Sequence, residues 1–192
     1  MAYVTTTAFK AYRKITGTKD DSLITDLITR SQRQIETYTH RTFAATTTAC
    51  RYYDAVRDVS DDRRTLYLDE DLCEIESVVN GDGTTVATTH YTTNPRNETP
   101  YHSLRMTWLS DSDWTWSDAP EDAIKVTGKW AYSTAAPADI QHATIRLATY
   151  LYAQKDASVF DVTLIPGEGV MQVPQGLPRD VRIILDPYRK LR

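Results

Sequence analysis

The stretch from Ile124 to Leu151, IKVTGKWAYSTAAPADIQHATIRLATYL, contains both kinds of regular structure that the chain is predicted to use. Its beginning, Ile124 to Tyr132, alternates apolar and polar residues and is rich in β-branched and aromatic side chains, as strands are. Pro137 and Asp139 then begin a helix that is predicted to run to about Asp156. Its apolar stripe keeps helical spacing and consists of Ile140, Ala143, Thr144, Leu147, Ala148 and Leu151.

Two helices are predicted before this stretch. Strands are predicted between the second of these helices and Ile124. A short helix follows the N-caps Thr5 to Thr7 and runs to about Lys14. A long helix follows the caps at Asp20, Asp21 and Ser22, with a stripe of Leu23, Ile24, Leu27, Ile28, Ser31, Ile35 and Tyr38. After Arg41, Thr-, Tyr- and Val-rich runs predict strands at Thr46–Val56, Thr65–Leu68, Ile75–Asn80, Thr84–Ala87, His90–Thr93 and Leu104–Leu109. Asn80 to Gly83, NGDG, predicts a hairpin turn between two of them.

The end of the chain is predicted to differ from the rest. Ala157–Gly176 is interrupted by prolines and glycines and is predicted to be an extended arm. A short helix begins at Leu177-Pro178-Arg179-Asp180, with Val181, Ile184 and Leu185 inward. The order of elements predicts an α+β fold, with two long and two short helices beside a mostly antiparallel β block. We expect a core domain at 1–156 and a docking extension at 157–192.

Composition excludes several classes of protein. The 192 residues are 41% hydrophobic and 25% charged, and no apolar run reaches the length of a membrane span. The first residues, MAYVTTTAFKAYRK, lack the apolar core of a signal peptide, so we expect a cytoplasmic origin. The net charge of -4 argues against general nucleic-acid binding.

The charges are segregated along the chain. From Asp54 to Glu76, nine acidic residues face three arginines, a net charge of -6, whereas Leu177–Arg192 carries a net charge of +3. Either segment alone is explained by solvated loops or a helix end. Together they predict two surfaces of opposite sign that meet different partners, or meet each other between copies of the chain.

No motif for catalysis is present. The four histidines fall on different predicted elements without a zinc-binding spacing, and no glycine-rich phosphate loop or GxSxG turn occurs. Asp69-Glu70-Asp71 is interpreted as an exposed acidic turn. We therefore expect no catalytic residue, no metal and no cofactor. The alternative is a small metal-dependent hydrolase that uses carboxylates with His90 or His102.

Two of the four tryptophans, Trp114 and Trp116, lie in an otherwise polar loop. Exposed aromatic side chains in such loops anchor interfaces. Alternatively, these two side chains fold back over the sheet as a lid, and the sequence leaves both interpretations open.

Several segments in order resemble the head-to-tail connector family of long-tailed bacteriophages, the adaptors that form a ring beneath the portal. They are the helix Asp20–Ile28 with its end Ile35–Phe43, then Leu66–Leu68, Ile75–Val78, Ile124–Trp130, Pro137–Ala143, Leu147–Tyr152, Leu177–Val181 and Pro187–Lys190. None of them is a catalytic signature. The resemblance rests on their order and spacing over nearly the whole chain.

The resemblance implies a structural protein of the virion neck, assembled in the host bacterial cytoplasm. It implies a homo-oligomeric ring, dodecameric in related phages, that docks on the portal protein and presents its far face to a stopper or tail protein. Double-stranded DNA would pass through its channel without specific binding, and no membrane is involved. The alternative within the same class is another neck or tail ring, such as the stopper or the tail terminator.

Three groups of residues are predicted to carry this role. The basic tail predicts portal contacts by Arg179, Arg182, Tyr188, Arg189, Lys190 and Arg192. An acidic loop facing the channel or the tail is predicted from Asp61, Asp62, Asp69, Glu70 and Asp71, since a negative wall lets DNA pass without sticking. Interface aromatics are predicted at Trp114 and Trp116.

Overall fold

A computed structural model describes residues 2–108, 113–154, 162–165, 169–172 and 176–190. Their contacts divide the chain into two compact units. The β unit comprises residues 41–136, and the helical unit comprises residues 2–40 together with 137–192. The helical unit is therefore built from both ends of the chain, with the β unit inserted in sequence between its second and third helices.

The β unit contains a five-stranded sheet in the order β1-β5-β2-β4-β3, in which all strand pairs are antiparallel. Its strands are β1 Ala49–Tyr53, β2 Thr65–Val79, β3 Tyr91–Asn94, β4 Tyr101–Met106 and β5 Ile124–Trp130. The long strand β2 organises the sheet, because its first half pairs with β4 and its second half with β5. The register of β2 shifts between Tyr67 and Leu72 and at two later points, which marks bulges in the strand.

A buried core holds this sheet together. Leu66, Leu104, Ile124 and Val126 are fully buried, and Trp114 reaches the same cluster from the loop between β4 and β5. Inward residues alternate along β5, as its sequence predicts.

The hairpin turn at Asn80 is confirmed. The Asn80 N–H donates to the Thr84 carbonyl (2.8 Å), and the Gly83 N–H donates to the Asn80 carbonyl (2.9 Å). Gly83 has φ +84°, a conformation that glycine adopts at little cost. The predicted strand Thr84–Ala87 contributes an isolated bridge, Thr85 to Val79, rather than a full strand.

The helical unit contains α1 Thr6–Arg13, α2 Asp21–Thr39, α3 Ala138–Gln154 and α4 Arg179–Leu185, followed by a 3-10 helix at Asp186–Tyr188. The Thr5 hydroxyl caps α1 by accepting from the Ala8 N–H (3.1 Å). The helix α2 is capped at its C-terminal end by His40, which has a left-handed φ of 55°. The buried residues of α2 and α3 match the predicted stripes with two differences: Leu23, Tyr38 and Leu151 are partly exposed, and Thr39, which was not predicted, is buried.

The predicted α+β class is confirmed, with two long helices, two short ones and an antiparallel sheet. The two strands predicted at Thr65–Leu68 and Ile75–Asn80 are one continuous strand, β2. Most of the predicted arm lies outside the described residues. Within it, β6 Val162–Ile165 pairs antiparallel with β7 Gly169–Gln172. The division at residue 156 stays a prediction, and α4 belongs to the helical unit.

Candidate functional site

The C-terminal basic segment is anchored by its apolar residues and presents its arginines to solvent. Val181 and Leu185 of α4 are fully buried. Arg179, Arg182 and Arg189 are exposed. Three of the six predicted portal contacts are therefore available to a partner, while Arg192 lies outside the described residues.

Hydrogen bonds tie the segment that follows α4 to the long helices. The Tyr38 hydroxyl donates to the Asp186 carboxylate (2.5 Å), and this bond raises the pKa of Tyr38. The Arg189 guanidinium lies 5.5 Å from the centre of the Tyr38 ring. The Lys190 N–H donates to the Thr39 carbonyl (2.9 Å). These contacts hold Arg189 and the residues around it against α2.

Tyr188 and Lys190 are less available than predicted. Both are half-buried, and the Tyr188 hydroxyl donates to the Asp139 carboxylate at the start of α3 (3.3 Å). In the structure, Tyr188 therefore anchors the segment to its own helical unit.

An exposed apolar residue, Ile183, lies between these arginines in sequence, and sequence reasoning missed it. Its side chain is 63% exposed. The exposure of Ile183 could have been predicted, because this residue lies outside the apolar stripe of Val181, Ile184 and Leu185. An apolar side chain beside Arg179 and Arg182 is the composition of an interface centre.

The residues of the predicted acidic loop lie in two different places, a turn and a strand. Asp61 and Asp62 are exposed in the turn before β2. The Ser60 hydroxyl and the Arg64 N–H donate to the Asp62 carboxylate and lower its pKa. Asp69, Glu70 and Asp71 lie within β2, so their interpretation as a turn is wrong.

Each of these three strand carboxylates has a partner inside the β unit. Asp71 is 5% exposed, and its carboxylate lies 2.6 Å from the Arg41 guanidinium. Glu70 pairs with Arg51 at 2.6 Å, and Asp69 accepts from the Tyr53 hydroxyl at 3.0 Å. All three lie in the stretch between Tyr67 and Leu72 where the register of β2 with β4 shifts. Asp71 is therefore not available to a channel, whereas Asp69 and Glu70 remain exposed.

The tryptophans divide between core and surface. Trp114 is fully buried, and its indole N–H donates to the Arg64 carbonyl (3.1 Å). Its side chain therefore folds back into the core, as the lid interpretation expects, and is not exposed as the interface interpretation expects. Trp116 is half-buried against the same core, with the Arg63 guanidinium 5.0 Å from its ring.

Trp108 is the exposed tryptophan, and sequence reasoning did not select it. Its side chain is 87% exposed, and the Arg64 guanidinium lies 5.1 Å from the centre of its ring. The Arg64 guanidinium is itself held by the Thr107 carbonyl (2.5 Å) and by Asp113 (3.5 Å). An arginine stacked on an exposed tryptophan presents the two residue types that dominate interface energetics.

The described residues do not assemble the site that the hydrolase alternative requires. Among them, no three His, Cys, Asp or Glu side chains lie close enough to hold a metal ion. The His102 Nδ1 atom lies 3.9 Å from Asp71, whose carboxylate is already paired with Arg41. Two cavities of about 540 and 240 Å³ lie in the helical unit, and no histidine or cysteine lines either of them. No helix in the described part of the chain is long and apolar enough to cross a membrane.

Comparison with known proteins gives one family and one fold. The sequence matches the model of the family described as "Head completion protein" over residues 2–191. Two solved structures are similar over 99% of this chain and 91% of theirs, each at 15% identity. They are the neck of an empty gene transfer agent particle computed with C6 symmetry (TM-score 0.59) and the virion of a native gene transfer agent particle (TM-score 0.57).

At this identity the two structures show a shared fold. No curated protein matches the chain. The family match covers nearly every residue and confirms the predicted resemblance to a phage head-to-tail connector. The chain belongs to the head completion protein family.

Proposed function

We propose that the chain is a structural protein of the virion neck, where it forms a ring that docks on the portal and links the DNA-filled head to the tail. The observation that carries this proposal is the family match over residues 2–191. The shared fold with chains from a gene transfer agent neck and virion supports the location. A ring of twelve copies is compatible with a neck computed with C6 symmetry.

Portal docking is assigned to the exposed face of the C-terminal segment. Arg179, Arg182 and Arg189 supply positive charge, and Ile183 supplies an apolar centre. Buried Val181 and Leu185 hold α4 in place, so this face is organised before the partner binds. The complementary surface on the portal would be an apolar pocket with an acidic rim.

The acidic surface that would face the channel or the tail consists of the exposed carboxylates Asp61, Asp62, Asp69 and Glu70. The fifth predicted member, Asp71, is buried. Arg51 partly neutralises this surface by pairing with Glu70. In this proposal DNA passes it without binding, since phosphate binding needs cationic side chains. Neutralising Asp61 and Asp62 to Asn should slow DNA ejection from assembled particles, and unchanged ejection would remove this part of the proposal.

A charge-reversal pair tests the docking face. The variant Arg179→Glu with Arg182→Glu should lower the affinity for the purified portal by about tenfold or more, measured by biolayer interferometry at low and high salt. The matched control, Arg30→Glu with Arg96→Glu, changes the net charge equally at two exposed positions elsewhere. Equal loss in both variants would show that only net charge matters, and unchanged binding by the tail variant would reject the assignment.

A further inference from the structure

A groove in the helical unit has no role in the function proposed above. Its volume is about 540 Å³, and it lies between α2, α3 and the residues just before α4. The partly buried residues of its wall are aromatic or aliphatic, and the exposed ones are mainly polar. We call it the α2–α3 groove. Its partly buried wall residues are Tyr38, Tyr150, Leu151 and Leu177, and its exposed ones include Arg33, Gln34, Thr37 and Gln154.

The β unit carries the most exposed of the large apolar side chains among the described residues, that of Trp108. Its indole is 87% exposed, and the Arg64 guanidinium lies 5.1 Å from the centre of its ring. The Thr107 carbonyl and the Asp113 carboxylate hold that guanidinium in turn, so the indole has an ordered neighbour at the surface. An aromatic side chain that is restrained before binding loses less conformational entropy when it enters a partner. Trp108 is therefore suited to anchor an interface.

The two units carry opposite charges. The β unit contains 16 acidic and nine basic residues, a net charge of -7, whereas the helical unit contains 10 acidic and 13 basic residues, a net charge of +3. The surface near Trp108 holds arginines as well as aspartates, so the attraction comes from the units as wholes and not from one ion pair. Among the described residues of the groove wall, Arg33 is the one that carries a charge, and it is positive. The β unit of one copy is therefore attracted to the helical unit of another.

The lining of the groove favours an apolar side chain as its occupant. The volume of the groove falls within the roughly 300–1,000 Å³ of sites that enclose a ligand, and it has room for an indole ring. The partly buried wall residues supply apolar contacts, and Arg33 can stack on the face of an aromatic ring. Cofactor sites orient their ligands with a few precisely placed polar groups, whereas the polar residues of this groove are mostly exposed. A large aromatic side chain from another chain therefore fits the groove better than a cofactor does.

We propose that Trp108 of one copy inserts into the α2–α3 groove of a second copy. The inference rests on the proposed function, because it names a contact between neighbouring copies of the proposed ring. A contact between two different surfaces of one chain is heterologous, and its repetition from copy to copy generates a ring when the rotation closes. The contact uses neither Arg179 nor Arg182, so it is separate from docking on the portal.

Site-specific photo-cross-linking tests the contact in the full chain. The variant Trp108→p-benzoylphenylalanine keeps an aromatic side chain at an exposed position, so it should fold normally, which circular dichroism melting checks. Irradiation of particles assembled with this variant, and of the purified protein at high concentration, should give a species of twice the chain mass. Mass spectrometry of its peptides should place the link on groove residues such as Tyr150, Leu151 or Gln154. The same probe at Tyr67, another exposed aromatic residue of the β unit, should give no link to the groove.

A blocked groove makes the test specific. The chain that carries the probe is mixed with tagged copies, and only links to the tagged copies are counted. Tagged copies with Thr37→Trp, which fills the groove from an exposed position of its wall, should lower the yield of the link by about tenfold or more. The matched control, Thr29→Trp, makes the same substitution at an exposed position of the same helix outside the groove wall and should leave the yield unchanged.

Several results would overturn the proposal. They are links to the portal or to another neck protein, links to a surface of this chain away from the groove, and links within one copy, which leave the chain mass unchanged. A yield that survives Thr37→Trp would also overturn it, as would the absence of the doubled mass from both the particles and the concentrated protein.

The two arms of the experiment separate this contact from the proposed function. The purified protein needs no portal, so a chain that is absent from the neck would reject the proposed function and leave the cross-link in solution standing. A chain that is present in the neck without a link to the groove would reject the contact alone.

Discussion

At the scale of single residues, the ion pair between Arg41 and Asp71 is a largely buried polar contact of the β unit. The two side chains are 15% and 5% exposed, and the Arg41 guanidinium also lies 5.7 Å from the centre of the Tyr132 ring. A buried charge that loses its partner is strongly destabilising, even where the intact pair contributes little net free energy. The pair therefore joins the beginning, middle and end of the β unit.

We expect Asp71→Ala to lower the free energy of unfolding by about 3–5 kcal/mol, because it leaves the Arg41 charge buried without its carboxylate. The control is Glu70→Gln, which breaks the more exposed Arg51–Glu70 pair and should cost about 1 kcal/mol or less. Urea denaturation followed by circular dichroism measures both. Equal losses for the two variants would contradict the burial argument.

Gly128 of β5 lies opposite Ile75 of β2, where there is no room for a side chain. A Cβ atom at this position would lie 2.2 Å from the Glu74 carbonyl oxygen and 2.8 Å from Leu72 Cδ1. Backbone cannot move away as a flexible side chain can, so we expect Gly128→Ala to destabilise the fold by about 1–3 kcal/mol.

The matched control for this prediction is Gly17→Ala, since a Cβ atom there meets nothing within 4 Å. This change should be neutral or slightly stabilising, because it restricts the unfolded chain. Thermal melts of both variants give the comparison. A Gly128→Ala variant as stable as the wild type would show that the two strands have room to separate.

At the scale of elements, the loop between β4 and β5 places one tryptophan in the core and leaves another at the surface. Trp114→Ala should lower the free energy of unfolding by about 3–5 kcal/mol, as removal of a buried aromatic side chain does. Trp108→Ala should leave stability within about 0.5 kcal/mol, because its side chain is 87% exposed.

The same two variants separate folding from assembly. Trp108→Ala should weaken association with the neck partners, measured by analytical ultracentrifugation of the protein mixed with its portal, because Trp and Arg dominate interface energetics. Unchanged association with normal stability would show that Trp108 is a solvent-exposed residue without a binding role.

The helices were predictable because apolar spacing and cap residues can be recognised within a short stretch of sequence. The stripe of Ile24, Leu27, Ile28 and Ile35 repeats with helical spacing, and Thr5 and Pro137 mark helix starts. The strand β2 was predicted in two pieces, because Asp69-Glu70-Asp71 has the composition of a turn. Its carboxylates are compensated by Arg41 and Arg51, which come from earlier parts of the chain, and no local pattern contains that information.

For the candidate site, too, the features set by local sequence were predictable, and those set by tertiary contacts were not. The exposure of Arg179 and Arg182 follows from the stripe of α4, and the same stripe predicts the exposure of Ile183. The buried Trp114 packs into the core of the sheet and donates a hydrogen bond to Arg64, fifty residues earlier in the chain. The anchoring of Tyr188 depends on Asp139 of another helix. Contacts of this kind are tertiary and leave no trace in local sequence.

At the scale of the whole molecule, the acidic and the basic segments differ in how far their charges are neutralised within the protein. The acidic excess in the β unit is partly neutralised by arginines of the same unit, through Arg41, Arg51 and Arg64. Among the described basic residues of the C-terminal segment, Arg179, Arg182 and Arg189 are exposed, and Lys190 is half-buried. The C-terminal face is therefore the stronger candidate for electrostatic recognition, and its contribution to assembly should weaken as salt increases.

The central claim, that the chain is a ring-forming neck protein that docks on the portal, is tested most directly by native mass spectrometry of the purified protein, alone and mixed with its portal. The account predicts a complex of fixed stoichiometry, with twelve copies of this chain bound to the portal ring, whether the free protein is a monomer or already a ring. A protein that stays separate from the portal at every concentration and salt condition tested would contradict it.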